Sequence, residues 1–475
     1  MLKNYLFVYS RAFGKSVVYM LQSTEYQITN YLKWLWDVND FRKVSYRKQL
    51  VRTRAADMLL WAFYAGYVLL EIIGLLIVIY GLGSVYRVVL GLSLMFIAPI
   101  LMAHLMAIPL ILGDIFIIKP AYGRKIRKST GTLKKHSADK IAVAGSYGKT
   151  TVKEILHTVL SEGKKVKATP ANKNVSISHA RFAEKLNDDE DVLIFEYGEG
   201  KPGDVKKFAQ RTHPSVGVIT GVAPAHLDKY PSLKAAGQDI FSLADYLGDT
   251  NVYVNGDSPA AKEFIKAPHI IYSDNGIEDW KVSDIKVSIE GTSFTLGNKS
   301  VKLKLKTKLL GRHLIGPIVL AAYLANKYGL TDKQITTAVA KIEPFEHRMK
   351  PYQSHGAWII DDTYNGNIEG MKAGLALLKE LPARRKIYVT PGLVDQGEEE
   401  TKVHVELGRV IAETNPDKVV LMKHSVTEYI TQGMKDYKGQ LVIENDPLDF
   451  YNNLDKFVAA GDLVLLQNDW PDNYN

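Results

Sequence analysis

The stretch VAGSYGKTTVKEIL, residues 143–156, concentrates residue types that handle phosphate. Gly145 and Gly148 permit a tight turn, and Thr151 to Leu160 carries helical spacing, so backbone N–H groups and a helix N-terminus converge on one point. A triphosphate placed there finds hydrogen bonds and a favourable dipole from Gly145, Ser146, Tyr147, Gly148 and Thr151. Lys149 would neutralise β/γ-phosphate charge, and the Thr150 hydroxyl would reach Mg2+. The strict G-x-x-x-x-G-K-[ST] pattern is not met, because its first glycine position is Val143. The alternative is a chance Gly-Lys-Thr turn, and the strand, loop and helix context weighs against it. Glu196 follows the apolar run VLIF, and His226 follows VGVITGVAPA. Singly, each fits a structural strand end. Both come after strands that follow a phosphate loop, and together they point to a Mg2+ site facing Thr150.

The elements that must position these groups are legible as apolar runs. Ile141 to Val143 reads as a buried strand, and Val192–Phe195, Val216–Ile219, Ile387–Val389, Val419–Met422 and Leu463–Leu466 alternate with helical segments. That alternation predicts an α/β architecture with mostly parallel sheet, whose ligands sit beyond the carboxyl ends of the strands. A length of 475 residues predicts two or three domains, and 46% hydrophobic content is ample for packed cores. There is no cysteine, which excludes disulfides, thiolate nucleophiles and Cys-ligated metals.

The net charge of +9 would suit nucleic acid, but its distribution excludes that reading. Residues 1–137 hold 18 Lys and Arg against 6 Asp and Glu, and residues 138–475 hold 42 against 45. The basic excess therefore belongs to the part beside a long apolar region. Met58 to Leu82 spans roughly 37 Å as a helix, enough to cross a hydrocarbon core of about 30 Å. Val88 to Ile118, interrupted by Pro99, His104, Pro109 and Asp114, reads as one kinked or tilted span. Basic residues crowd both outer flanks and only Arg87 lies between the spans, so a hairpin with both ends in the cytoplasm is predicted. Glu71, His104 and Asp114 suit end-snorkelling and helix pairing better than a transport path, because two spans make a poor pore. Residues 1–36, rich in Tyr and Trp, fit either an interfacial helix or a helix packed on the hairpin.

At this point six short motifs, in order, resemble the Mur ligase family. They are GSYGKTT with Lys153, TPANKN, EYGEGKPGDV, VGVITGVAPAHLDKYPSL, GRHLIGPIVLAAYLANKYG with FEHRM, and IIDDTYNGNIEGM. The last is similar to the signature of the branch that adds D-alanyl-D-alanine. The resemblance covers about residues 138–475. It implies a P-loop Mur ligase central domain over 138–341 and a Rossmann-like C-terminal domain over 342–475. Before them would come an N-terminal region 1–54, a transmembrane hairpin 55–118 and a basic linker 119–137. It implies an ATP- and Mg2+-dependent ligase that phosphorylates a carboxylate and lets an amine attack the acyl phosphate. Carried over, Lys149, Glu196, His226 and Arg348 serve catalysis, and Thr150, Glu196 and His226 hold metal. Gly145 to Thr151 with Arg348, Asp362 and Asn365 bind nucleotide, and Asn172, Asn174 and Tyr364 line the substrate side. The implied partners are a cell-envelope peptide precursor, UDP-linked or lipid-linked, an amino acid or dipeptide, and membrane lipids. The implied location is the inner membrane, with the catalytic domains cytoplasmic.

The departures from the family pattern are specific. Where the family carries a carbamylated lysine that bridges a second Mg2+, this chain has Gly237, with Lys234 the nearest substitute. Two asparagines expected in the G-x-H helix are Leu314 and Pro317, and the last strand ends LLQNDWPDNYN where the branch has a Lys-Gly-Ser turn. The hairpin stands where the family has its UDP-gripping domain. Two other functions stay open: a polymerase of an acidic amino acid, as in the capsule poly-γ-glutamate synthetases, and a nucleotide-binding envelope scaffold without catalysis.

Overall fold

The computed structural model describes all residues except 1, 25, 43, 45–49, 172, 225–228, 365, 395, 424 and 469–475. It divides into two compact units, Met1–Arg124 and Lys125–Asn475.

The first unit is helical. Helices α1 (Leu2–Phe7), α2 (Arg11–Ser23) and α3 (Ile28–Asp37) precede two long apolar ones, α4 (Arg54–Tyr80) and α5 (Val85–Leu105). After α5 the chain continues through α6 (Ala107–Gly113) and a π-helical turn at Asp114–Ile118 into α7 (Lys119–Lys135). Helices α4 and α5 are both long and apolar enough to cross a membrane. They meet through glycine: a Cβ on Gly74 would lie 3.0 Å from Gly91 O, and one on Gly91 would lie 2.6 Å from Gly74 O. Small residues let helix backbones approach this closely, which apolar surroundings alone would not drive.

Residues 1–36 are not one interfacial helix. Phe13 and Tyr31 are fully buried in one cluster with Phe63, Met102 and Met106, so α2 and α3 pack on the hairpin. Tyr31 donates to Ala103 O at 2.6 Å, which satisfies its hydroxyl inside apolar packing. The polar groups of the spans are likewise partnered. Trp36 Nε1 donates to His104 Nε2 at 3.1 Å while His104 Nδ1 donates to Ile100 O, and Asp114 pairs with Lys119 at 2.6 Å.

The second unit opens on β1 (Asp139–Ala144), followed by α8 (Lys149–Leu160), β2 (Val166–Ala168), α9 (Ser176–Ala183) and β3 (Val192–Glu196). Next come α10 (Asp204–Thr212), β4 (Val216–Ile219), α11 (Leu233–Tyr246), β5 (Val252–Asn255) and β6 (Ile270–Ser273). The chain then turns back on itself in β7 (Gly276–Ile277), β8 (Trp280–Ser288), β9 (Gly291–Gly297) and β10 (Lys302–Thr307), before α12 (Ile315–Lys327) and α13 (Asp332–Ala340). All ten strands form one sheet in the order β10-β9-β8-β7-β6-β5-β4-β1-β3-β2. The pairs from β2 to β6 are parallel and those from β6 to β10 antiparallel, so the sheet is mixed where a mostly parallel one was expected. Short turns join β7 to β10, and such hairpins need no crossover helix.

A second, six-stranded sheet follows in the order β11-β12-β16-β13-β14-β15. Its strands are β11 (Lys350–Ser354), β12 (Ala357–Asp362), β13 (Arg385–Thr390), β14 (Lys418–Met422), β15 (Gln440–Glu444) and β16 (Asp462–Gln467), with helices α14 (Ile368–Glu380) and α15 (Glu400–Thr414) between them. Only the edge pair β11–β12 is antiparallel. The two sheets are tied by Arg312, which pairs with Glu380 at 2.9 Å, and by Leu310, which is buried in the core of the second.

Near the start of this unit a buried carboxylate holds three segments together. Glu190 accepts from Lys167 at 2.6 Å, from the backbone N–H of Asn187 at 3.0 Å, and meets His136 at 3.2 Å. Burial alone would raise its carboxyl, but these donors more than offset that and hold it down at about 2.

Candidate active site

Strand β1 lies between β3 and β4, the point at which strand order reverses, and the phosphate-type loop leaves its carboxyl end. Open α/β sheets bind ligands there. Gly145 has φ +146° and Gly148 φ +70°, and a Cβ at Gly145 would lie 2.2 Å from Thr220 Oγ1, so the first turn admits no side chain. The loop is pinned from β4: Ser146 N donates to Gly221 O at 2.9 Å, and Thr220 Oγ1 donates to Tyr147 O. The Tyr147 ring packs over Gly221 and near Ser258, and burial pushes its phenol up to about 12. Helix α8 begins at Lys149, its axis starting at the loop as an anion site requires.

Lys149 and Lys153 are one turn apart on α8, a spacing that puts them on one face. Each meets a carboxylate from the end of β3. Lys149 Nζ lies 3.3 Å from Glu199 Oε1 and also donates to Gly145 O. Lys153 Nζ lies 3.5 Å from Glu196 Oε2, and it donates to Thr169 O at 2.7 Å and to Ala171 O. Glu196 accepts from Asn174 Nδ2 at 3.2 Å, and its backbone N–H donates to Thr169 Oγ1. His179 Nε2 donates to Glu196 O at 2.8 Å, and burial holds that imidazole down at about 4, so it is neutral at pH 7. The Glu199 carboxyl is pushed by burial up to about 7 in spite of Lys149 beside it.

The donor set fits a hard divalent cation. Ser146 Oγ, Glu196 Oε2 and Glu199 Oε2 are buried around this loop and make no hydrogen bond. Buried oxygens normally have partners, and oxygen ligands are what Mg2+ takes. Thr150 is half-buried in the first turn of α8. His226, Asn172 and Asn365 lie outside the described residues. Gly237 packs on Phe264, with a Cβ there meeting the ring at 2.4 Å, so this position has no room for a side chain, and Lys234 is exposed. Leu314 precedes α12, and Pro317 sits in its first turn, where proline costs no hydrogen bond.

The remaining sequence-predicted residues form a second group, at the carboxyl ends of the other sheet. Arg348 stacks over the Tyr364 ring at 4.4 Å. Asp362 ends β12 directly beside Gln467 at the end of β16, and accepts from Gln467 Nε2 at 2.9 Å and from Met349 N at 3.3 Å. Burial pushes the Asp362 carboxyl up to about 7, opposed by Gln467, the Met349 N–H and Arg348. The Glu369 carboxylate on α14 adds to the upward push on the Tyr147 phenol. Sequence reasoning missed Glu199, His179 and Gln467. Glu199 lies within the quoted EYGEGKPGDV, but nothing in a sequence shows that it meets Lys149.

The Mur ligase middle domain matches residues 143–325, and the Mur ligase glutamate ligase domain matches residues 347–467. The UDP-N-acetylmuramoyl-tripeptide--D-alanyl-D-alanine ligase of Escherichia coli is 29% identical over 293 residues, 59% of this chain and 63% of that protein. The chain therefore spans less than two thirds of that relative. The ligase of the same name from Bacillus subtilis is 24% identical over 334 residues, 69% of this chain and 72% of that protein. Among solved structures, MurF ligase from Thermotoga maritima in complex with ADP superposes with a TM-score of 0.64 at 22% identity, covering 73% of this chain and 80% of that one. MurF from Acinetobacter baumannii gives 0.63 at 20% identity, covering 73% and 77%. These two show a shared fold.

Proposed function

Because the chain belongs to the Mur ligase family, we propose that it is a membrane-anchored, ATP-dependent amide ligase that joins D-alanyl-D-alanine to a muramyl tripeptide. The observation that carries this reading is the loop itself: Lys149 at the start of α8, with Glu196 buried alongside and its Oε2 turned to Lys153 on the same helix. The identity of the E. coli and B. subtilis relatives as UDP-N-acetylmuramoyl-tripeptide--D-alanyl-D-alanine ligases supports the choice of substrates.

The chemistry follows from charge. A carboxylate oxygen of the tripeptide attacks the γ-phosphorus of ATP, ADP leaves, and an acyl phosphate forms. The amine of the dipeptide then attacks the acyl carbon, the amide C–N bond forms, inorganic phosphate leaves, and the amine gives up a proton. One anion attacking another needs its repulsion offset, and preorganised cations and N–H donors do this best in a site that excludes water. Lys149 and the loop N–H groups at the start of α8 would meet the phosphates, while the Ser146 N–H is already held by Gly221 O. A divalent cation held by Thr150 and Glu196 would supply Lewis-acid stabilisation of the phosphoryl oxygens. Asn174 orients Glu196, and Arg348 on Tyr364 stands ready to meet negative charge when the second domain closes.

The anchoring reading is supported by α4 and α5, whose side chains Leu69, Leu76, Ile79, Leu90 and Phe96 are exposed, and by the basic flanks, which favour the cytoplasmic side for both ends. A substrate confined to that surface would gain effective concentration. The deciding assay is phosphate release by full-length protein in nanodiscs, with ATP, D-alanyl-D-alanine, and either the UDP-linked tripeptide or its lipid-linked counterpart. Dipeptide-dependent release with either acceptor is expected. Release with neither, or release that depends instead on an acidic amino acid, overturns the reading. Equal use of both acceptors would make the hairpin a tether without a part in substrate choice.

A further inference from the structure

The end of β3 places two carboxylates three residues apart against one face of α8. The Glu196 side chain is 2% exposed and that of Glu199 4%. Lys149 meets Glu199 through Oε1, so Glu199 Oε2 is left buried with no hydrogen bond, and Glu196 Oε2 has only the longer ion pair to Lys153 at 3.5 Å. A buried carboxylate oxygen left without a donor is costly, and Glu199 Oε2 is such an oxygen.

The available protein cations do not resolve this. Lys153 is engaged by Thr169 O and Ala171 O and pairs with Glu154 at 2.9 Å. Lys149 is shared between Gly145 O and Glu199 Oε1, and a bound phosphate would draw it away. At the Gly237 position of α11 the Phe264 ring leaves no room for an amine, and Lys234 on the same helix is exposed. Among the described residues no three carboxylate or imidazole groups converge on a ready-made metal cage. Mg2+ needs only one or two carboxylates together with waters and substrate phosphates.

We propose that Glu199 is a ligand of a divalent cation bound together with nucleotide, its free Oε2 acting beside Glu196 Oε2 and the phosphate oxygens. Glu199 then has two partners in turn: Lys149 before nucleotide arrives, and the cation afterwards. The inference rests on the reading of the loop as a nucleotide site, and goes beyond it by naming a cation ligand that the loop pattern does not contain.

The test titrates Mn2+ by electron paramagnetic resonance into full-length protein in detergent, with and without a non-hydrolysable ATP analogue. It needs no acceptor or turnover. In the presence of the analogue, Glu199→Gln should weaken Mn2+ binding at least tenfold. Without metal, the same variant should hold the analogue as tightly as wild type or more tightly, because Lys149 has lost its competitor. Unchanged or tighter Mn2+ binding by Glu199→Gln overturns the proposal and leaves Glu199 as a partner of Lys149 only. If Glu199→Gln fails to fold by circular dichroism, Glu199→Asp decides. It keeps the charge and withdraws the oxygen by one methylene, so it should weaken Mn2+ binding, and unchanged binding overturns the proposal. Wild-type protein that binds no analogue at all overturns the nucleotide reading, a result distinct from failure of the Glu199 variants alone.

Discussion

Lys149 shows what a single side chain contributes here. It stands at the first turn of a twelve-residue helix, half-buried, with its ammonium on the carbonyl of Gly145. Removing a charge donor of this kind from a water-excluded site costs on the order of 3 kcal/mol of transition-state stabilisation, about a hundredfold in rate. Lys149→Ala should therefore lower dipeptide-dependent phosphate release by about that factor or more with the melting temperature little changed, and near-normal turnover would sink the ligase reading. Asp362 offers a different test. Gln467 holds its carboxyl down against burial, so Gln467→Leu should shift the Asp362 titration to higher pH and move the corresponding limb of the rate profile the same way. An unmoved profile would mean that Asp362 does not titrate in the reaction. Lys149, Thr150 and Glu196 were legible because their chemistry is local to short motifs. Glu199, His179 and Gln467 were not, since each matters through a partner far away in sequence: Lys149, the carbonyl of Glu196 and Asp362.

At the scale of elements, the buried runs behind β3, β4, β13, β14 and β16 were legible, since strands covered on both faces read as continuous apolar stretches. Strands β8 and β10 were missed for the converse reason. Half-exposed strands such as β10, KLKLKT, put lysines and leucines on opposite faces, and only a period-two count reveals them. The division of residues 1–36 into three helices was equally hidden, since aromatic content says nothing of where a helix stops. Two element-level predictions follow from packing and charge. Leucine at Gly91 would drive its side chain into Gly74 O, so Gly91→Leu should lower the thermal stability of the hairpin in detergent, whereas Gly83→Leu, with open space around it, should not. Glu190 makes the second. Its carboxyl is depressed to about 2 in the fold, so below its ordinary value of about 4.5 the unfolded chain binds the extra proton. The stability it contributes is present above that pH and lost as pH falls from about 4.5 towards 2. Glu190→Gln should flatten the melting temperature over that interval, and an unchanged slope would assign the acid sensitivity elsewhere.

For the molecule as a whole, charge segregation and the two long apolar helices were readable without a fold, because they are properties of composition along the chain. The mixing of parallel and antiparallel strands in one ten-stranded sheet was not, being set by which turns close. Lys153 carries a consequence of another kind. Its buried ammonium fastens the helix that bears Lys149 to the carbonyls of Thr169 and Ala171, just ahead of Asn174. On the proposed function the nucleotide side and the acceptor side would share this brace, and ordering either should lessen the entropy that the other must lose. Thermodynamic reciprocity then requires that ATP analogue and muramyl tripeptide raise each other's affinity by the same factor. Isothermal titration in both orders should show this, and Lys153→Gln should bring the factor towards one. If the two ligands bind wild-type protein independently, the brace is mechanical only, and the order in which they arrive is free.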